Sequence, residues 1–417
     1  MKITKLKAIE ILDSRGNPTI RVDIELDNGI KGYSEVPSGA STGIYEACEL
    51  RDDDKNRFNG KGVLKAVENI NNKIFNKIDK NKDYTQKSID QFLINLDGTE
   101  NKSNLGANAI LGISMAFARA VANFKNIELF EYLGSLVNNK IYKIPQPVFN
   151  IVNGGKHSDN NLDIQEFMLI PVNFKTFHDK LRVASEIFHN LKNILHKKGY
   201  TTSVGDEGGF SPDLKTNEEV FKLIVEAINI SGYNTDDVKI GMDSASSSFY
   251  KNDFYEIKIN GIKKQINSIE LIDWYKKLVN KYPIILIEDG HDENDWNGFI
   301  NMNKELGNKI TVVGDDLLVT NIKRIEIAIE KNCVNSVLIK LNQIGTVTET
   351  IEAIELTKKQ KWKPFVSHRS GETSDTFIAD LAVGLGCDLI KSGSLSRGER
   401  ICKYNRLLII ENILNKK

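Results

Sequence analysis

Three acids stand out because each closes a short apolar run: Asp243 after Lys239-Ile240-Gly241-Met242, Glu288 after Ile284 to Ile287, and Asp315 after Thr311 to Gly314. Carboxylates gathered within a few ångströms stay ionised together only if a cation neutralises them, and an all-oxygen set selects magnesium, manganese or calcium over zinc. A single aspartate at a strand end is as readily a helix N-cap. Three at successive strand ends point instead to a hard divalent cation, with the neighbours Asp289 and Asp316 in supporting or capping roles. Lys340 and Lys391 close the runs Val337-Leu338-Ile339 and Asp388-Leu389-Ile390, so their ammonium groups are expected in the same mouth. Desolvation and nearby cations would lower their pKa towards that of a general base; pairing with a carboxylate and Schiff-base chemistry are the other uses of such lysines.

The string Val366-Ser367-His368-Arg369-Ser370-Gly371-Glu372 sets an imidazole, a guanidinium fork and a hydroxyl at a strand end before a helix, the makings of a phosphate grip. Glu207 lies in the Gly-rich turn Val204 to Phe210, and Gln165-Glu166 is expected to follow an apolar strand. Both glutamates are candidate general acids, given burial or mutual repulsion to raise their pKa. Two loops of small residues, Pro37 to Gly43 with Ser41 and Asn153 to His157, have the composition of mobile lids. Neither matches the phosphate-binding pattern G-x-x-x-x-G-K-[ST]. His178, His189 and His196 fall on one amphipathic helix and read as structural, while His291, after Gly290, has no evident role.

The elements that must position these groups follow from periodicity. Steps from Asp243 to Glu288, Asp315, Lys340, His368 and Lys391 are 45, 27, 25, 28 and 23 residues, mostly one β/α unit each. Parallel strands delivering ionisable residues to one end describe a (β/α)8-type barrel over residues 145–417; a doubly wound sheet would do the same but usually carries a Gly-rich dinucleotide turn, which is missing. The longer first step has room for an extra hairpin at Phe254 to Lys258. Residues 1–140 read as an α+β domain: alternation in Thr19 to Leu26 and the Asn28-Gly29 turn predict a three-stranded meander, and apolar spacings of three and four predict helices near 61–80, 85–96, 106–123 and 127–136. Pro145 and Pro147 mark the linker.

The 417 residues carry 56 Lys+Arg against 56 Asp+Glu, a formal net charge of zero. That balance argues against a dedicated nucleic-acid binder and a polybasic membrane-surface protein. The N-terminus lacks the apolar core of a secretory signal, and no apolar run approaches the roughly 20 residues of a membrane span. Four scattered cysteines, Cys48, Cys333, Cys387 and Cys402, suit a reducing, cytoplasmic setting.

Taken in order, Asp13-Ser14-Arg15-Gly16-Asn17-Pro18-Thr19, the Ser38 to Gly43 loop, Gln165-Glu166-Phe167-Met168, Gly205-Asp206-Glu207-Gly208-Gly209, Gly241-Met242-Asp243, Ile287-Glu288-Asp289-Gly290, Gly314-Asp315-Asp316-Leu317, Lys340 to Gly345 and Ser367 to Glu372 resemble the enolases along essentially the whole chain. The resemblance implies reversible dehydration of 2-phosphoglycerate to phosphoenolpyruvate with two magnesium ions per site, the second arriving with substrate. It further implies Lys340 as the base at C2, Glu207 as the acid at the C3 hydroxyl and Glu166 as its positioning partner. Asp243, Glu288 and Asp315 would hold the first metal and Ser41 would join the second; His157, Gln165, His368, Arg369, Ser370 and Lys391 would bind substrate. A homodimer is implied, with an octamer as the larger assembly. Arg21 and Ile409 depart from the residues usual at an ion pair across the family's dimer interface, which suggests that the contact is lost or rebuilt, for instance through Glu411. A sister dehydratase acting on a non-phosphorylated acid would not need Ser41 or the Arg369-Ser370 grip. A structural or surface-binding role would rest only on the terminal Lys416-Lys417 pair.

Overall fold

The computed structural model describes residues 1–39 and 43–416; Ser41 and Lys417 therefore lie outside the described residues. The chain opens with the antiparallel meander β1 (Ile3–Leu12), β2 (Pro18–Leu26) and β3 (Lys31–Glu35). Alternation in β2 turns Ile20, Val22, Ile24 and Leu26 to one buried face. Helical segments follow: α1 (Leu64–Glu68) and α2 (Phe75–Lys77) joined by a π turn, then α3 (Gln86–Asp97), α4 (Ala107–Lys125) and α5 (Leu129–Ser135). Gly32 lets β3 lie directly on α4, since a Cβ there would stand 2.3 Å from the Ala116 carbonyl oxygen, and Ser34 Oγ donates to the Gly112 carbonyl at 2.6 Å. α4 is long and apolar enough by length and composition to cross a membrane, but 83% of its apolar window is buried within the protein, as in a core helix.

The second part is a closed eight-stranded barrel. Its strands are β4 (Gln146–Asn153), β5 (Glu166–Pro171) and β6 (Val238–Asp243), then β10 (Ile284–Glu288) to β14 once the small antiparallel sheet β7 (Tyr250–Lys251), β8 (Phe254–Ile259) and β9 (Ile262–Ile266) has interrupted the series. The remaining barrel strands are β11 (Thr311–Gly314), β12 (Ser336–Ile339), β13 (Lys363–Ser367) and β14 (Leu389–Lys391). Outside run α6 (Phe177–Lys197), α7 (Asn217–Ile230), α8 (Ser268–Lys281), α9 (Trp296–Leu306), α10 (Ile322–Lys331), the short α11 (Leu341–Ile344), α12 (Val347–Lys359), α13 (Phe377–Gly384) and α14 (Gly398–Leu414). Val148, Met168, Ile170, Leu286, Val313, Leu338, Phe365 and Leu389 fill the interior, so the barrel is a packed core and its chemistry is confined to one end.

Two expectations change. The barrel is not wholly parallel, because β5 pairs antiparallel with both β4 and β6. Gln165-Glu166 accordingly stands at the start of β5 and not after a strand, and reversal of that strand brings Glu166 opposite Asp243 at the same mouth. The insertion near 254–258 is a three-stranded sheet, one strand more than a hairpin.

The N-terminal domain sits against this mouth. Ser38 and Gly371 exchange backbone hydrogen bonds of 2.7 and 2.9 Å, Ser14 N–H donates to the Glu372 carbonyl at 2.7 Å, and Arg119 is paired with buried Asp375 at 2.6 Å. Arg21 donates to Asp23 and Glu35 of its own sheet, and both Glu411 oxygens accept the N–H groups of Phe177 and His178 at the start of α6. Each member of the pair suggested by the sequence, Arg21 and Glu411, thus has partners within the chain.

Candidate active site

One polar cavity at the barrel mouth is lined by His157, Gln165, Glu166, Glu207, Asp243, Glu288, Asp289, Asp315, Asp316, Lys340, His368, Arg369, Ser370 and Lys391, among others. Every expected site residue within the described part of the chain therefore reaches one space; Ser41 lies outside it. The strand ends of β6, β10 and β11 deliver Asp243, Glu288 and Asp315 from adjacent staves.

Each of these acids is held. Asp243 accepts from Gln165 Nε2 at 3.0 Å and from the Ala245 N–H at 2.8 Å. Lys391 Nζ donates to both oxygens of Glu288 at 2.9 and 2.8 Å and to Glu166 Oε2 at 3.0 Å. Lys340 Nζ is bonded to Asp315 Oδ2, whose other oxygen accepts from Gln343 Nε2 at 2.8 Å. Burial pushes the Asp243 carboxyl up to about 8 and drives Glu288 well above its usual range, whereas Asp315, also pushed up by burial, is drawn below its ordinary value by Lys340. Three hard oxygen donors that resist sharing negative charge fit a divalent cation. Gln165 Oε1 is buried without a hydrogen-bond partner among the described residues, a further oxygen donor in the same cavity.

The lysines depart from expectation. Burial opposes the Lys340 ammonium, but Asp315 and Asp316 outweigh it and its pKa is raised. Lys391 is raised further, because the negative charge of Glu166, Glu288 and Asp243 outweighs the effect of its burial. The sequence pattern placed cations beside these lysines; in the fold, acids are their nearer neighbours.

Asp289 and Asp316 differ in role. Asp289 adopts a left-handed backbone (φ 42°), and its two oxygens accept the N–H groups of Asp315 and Asp316 at 2.9 and 2.8 Å. Its carboxylate thus fixes the turn that presents Asp315. Among the described residues, Asp289, Asp315 and Asp316 form one group with potential ligand atoms within 4.8 Å of one another, and His157, Glu166 and Glu207 form another.

Across the cavity, Glu207 Oε2 accepts from Asn150 Nδ2 at 2.9 Å and faces His368 Nε2 at 3.5 Å, while Oε1 faces His157 Nδ1 at 3.5 Å. Burial and the neighbouring Glu207 raise the pKa of Glu166. His157 is itself buried, in a single helical turn at Gly155–His157, and not in the open polar loop expected of it; burial lowers its pKa to about 4. At the grip, Arg369 Nη1 and Nη2 donate to the two oxygens of Glu46 at 2.9 and 3.1 Å, and Nη1 also donates to Asn342 Oδ1 at 3.1 Å. Ser370 flanks it in the cavity wall.

Sequence reasoning missed Asn150, Glu46, Gln343 and Arg400, all of which touch the site through residues distant in sequence. Glu46 comes just after the small-residue loop and Gln343 falls within the Lys340 to Gly345 string, but neither position reveals the residue it touches. His291 has no part in the cavity: it is buried among Tyr255, Tyr275 and Phe299, with Nε2 3.3 Å from the Ser268 carbonyl.

A barrel whose mouth joins hard-metal acids, two lysines, paired glutamates and an arginine grip defines a lyase acting on an anionic carbon acid. Residues 3–133 match the family described as "Enolase, N-terminal domain", and residues 141–417 match "Enolase, C-terminal TIM barrel domain". Enolase 1 of Chlorobaculum tepidum is 53% identical over 418 residues, an alignment covering 100% of this chain and 97% of the relative. The chain belongs to the enolase family, and its enzyme class is that of the phosphopyruvate hydratases of glycolysis.

Proposed function

We propose that this cavity interconverts 2-phosphoglycerate and phosphoenolpyruvate, with Lys340 taking the C2 proton and Glu207 supplying the proton that lets the C3 hydroxyl leave as water. The observation that supports it is the enclosure of Lys340, the Glu166–Glu207 pair, three strand-end acids and Arg369 in one space. A proton beside a carboxylate leaves only if the resulting dianion is stabilised, so positive charge must be in place first. When bound by Asp243, Glu288 and Asp315, magnesium would supply that charge at the substrate carboxylate, and a second ion arriving with substrate, with Ser41 as a ligand, would supply it at the phosphate.

The residues divide the remaining work. Lys391 holds the carboxylate end, and Arg369 and Ser370 bind phosphate as a fork and a hydroxyl. Glu166 repels a second negative charge and so keeps a proton within the pair it forms with Glu207. His157 and His368, neutral because buried, bound the acid without titrating near neutrality. Gln165 orients Asp243. We further infer a cytoplasmic homodimer, with an octamer as the larger assembly that sedimentation would distinguish. The deciding experiment follows phosphoenolpyruvate by its ultraviolet absorbance, with magnesium and after chelation. Turnover restored by magnesium is expected; no turnover of 2-phosphoglycerate with magnesium present would sink the assignment.

A further inference from the structure

Arg400, on the first turn of α14, is completely buried. Its Nη1 donates to His368 Nδ1 at 2.7 Å and to the Arg369 carbonyl at 2.5 Å, and its Nη2 donates to the carbonyls of Asp206 at 3.0 Å and Ser370 at 2.5 Å. One guanidinium therefore ties the loop that carries Glu207 to the loop that carries the phosphate grip. A guanidinium has five donors and no acceptor, so the imidazole nitrogen facing it must be a lone pair. The single proton of the neutral ring is then on Nε2, the nitrogen that lies 3.5 Å from Glu207 Oε2. That same oxygen already accepts from Asn150 Nδ2.

We propose that Arg400 is a positioning residue for the acid: by donating to Nδ1 it locks His368 as the Nε2–H tautomer, which reserves Oε2 of Glu207 as an acceptor and confines the transferable proton to Oε1. Oε1 faces His157 and lies on the cavity side shared with Glu166. Asn150 Nδ2 donates to Oε2 at 2.9 Å and the protonated His368 Nε2 stands 3.5 Å from the same oxygen, so Oε2 faces donors and serves as the acceptor of the carboxyl. Burial and the Arg400 charge hold the His368 pKa well below its ordinary value, so the ring does not become a competing proton source. In the forward reaction the Oε1 proton moves to the C3 oxygen as the C3–O bond breaks. The electron pair left at C2 becomes the second C2–C3 bond, water leaves, and Glu207 remains as carboxylate until solvent reprotonates it.

The inference rests on Glu207 being the acid, but its first test does not. Ring-nitrogen NMR of protein labelled with 15N-histidine, with the His368 signals assigned by their loss in His368→Gln, should show Nδ1 unprotonated and Nε2 protonated at neutral and mildly alkaline pH. An Nδ1–H tautomer or an imidazolium there overturns the proposal, whether or not any variant folds. Arg400→Gln supplies an amide oxygen that can accept from Nδ1 and so frees the tautomer. Dehydration should then fall about 100-fold while exchange of the C2 proton with solvent and KM stay within about twofold, and donor-only Arg400→Lys should recover much of the loss. Parallel loss of exchange and dehydration in Arg400→Gln contradicts a specific role in positioning the acid. Should the wild-type enzyme fail to dehydrate 2-phosphoglycerate, the acid assignment falls, whereas the NMR result still decides the Arg400–His368 contact.

Discussion

At the scale of single residues, each charged group in the cavity owes its behaviour to the groups around it. Lys340 and Lys391 could be located from sequence, because an ionisable residue closing an apolar run must emerge where the strand ends. Their pKa direction could not, since it depends on Asp315, Glu166 and Glu288 arriving from other strands. Asn150, Glu46 and Arg400 were hidden for a related reason: an asparagine in a buried strand, a glutamate in a loop and an arginine on a helix are unremarkable until the fold supplies their partners. Asp289 leads to a direct prediction. Asp289→Asn replaces one oxygen that accepts a backbone N–H with a donor, which should loosen the turn presenting Asp315. Apparent magnesium affinity should weaken about 10–100-fold with protein stability little changed. Titration of activity against magnesium checks this, and an unaltered midpoint would count against Asp289 as the support of Asp315.

Among the elements, the six strands ending at Asp243, Glu288, Asp315, Lys340, His368 and Lys391 were legible as a barrel series, and so was the meander of the first domain. The direction of β5 was not. Glu166–Pro171 is a continuous buried run, and a strand buried on both faces reads the same in either direction. What the reversal does is functional, since it sets Glu166 beside Asp243 at the mouth. The contact of β3 with α4 was equally silent in sequence, because Gly32 follows a turn and reads as part of it. Its Cβ position, 2.3 Å from the Ala116 carbonyl oxygen and 2.5 Å from the Ala120 nitrogen, faces helix backbone that has little room to yield. Gly32→Ala should therefore destabilise the protein by roughly 1–3 kcal/mol, read as a lower urea midpoint at unchanged slope. A neutral effect would mean that α4 can shift away from the sheet at little cost.

For the whole molecule, a net charge of zero conceals a site where acids and cations are gathered in direct contact, Lys391 on Glu288 and Glu166 and Lys340 on Asp315. The acids carry a consequence for stability. A carboxyl whose folded pKa is raised stabilises fully below its unfolded value and loses that contribution as pH rises through the folded value. Asp243, pushed up to about 8, and Asp316, pushed up to about 7, both by burial first, act in this sense. His157 and His291, lowered by burial to about 4 from 6.5, act oppositely, but above 6.5 they are mostly neutral folded or unfolded. Between about pH 6.5 and 8 the acids therefore dominate: without metal, Tm should fall as pH rises, and magnesium should raise Tm by an increment that grows across this window. Thermal melts with and without the ion test this, and an increment that shrinks with pH would contradict a cation bound at these acids.

The division of labour between Lys340 and Glu207 is tested most directly by exchange of the substrate C2 proton with solvent deuterium, measured side by side in Lys340→Ala and Glu207→Gln. Removal of the base should abolish exchange and dehydration alike, whereas loss of the acid should leave exchange running while dehydration falls by about 100-fold or more. Exchange lost in both variants, or retained in Lys340→Ala, would contradict the assignment of base and acid.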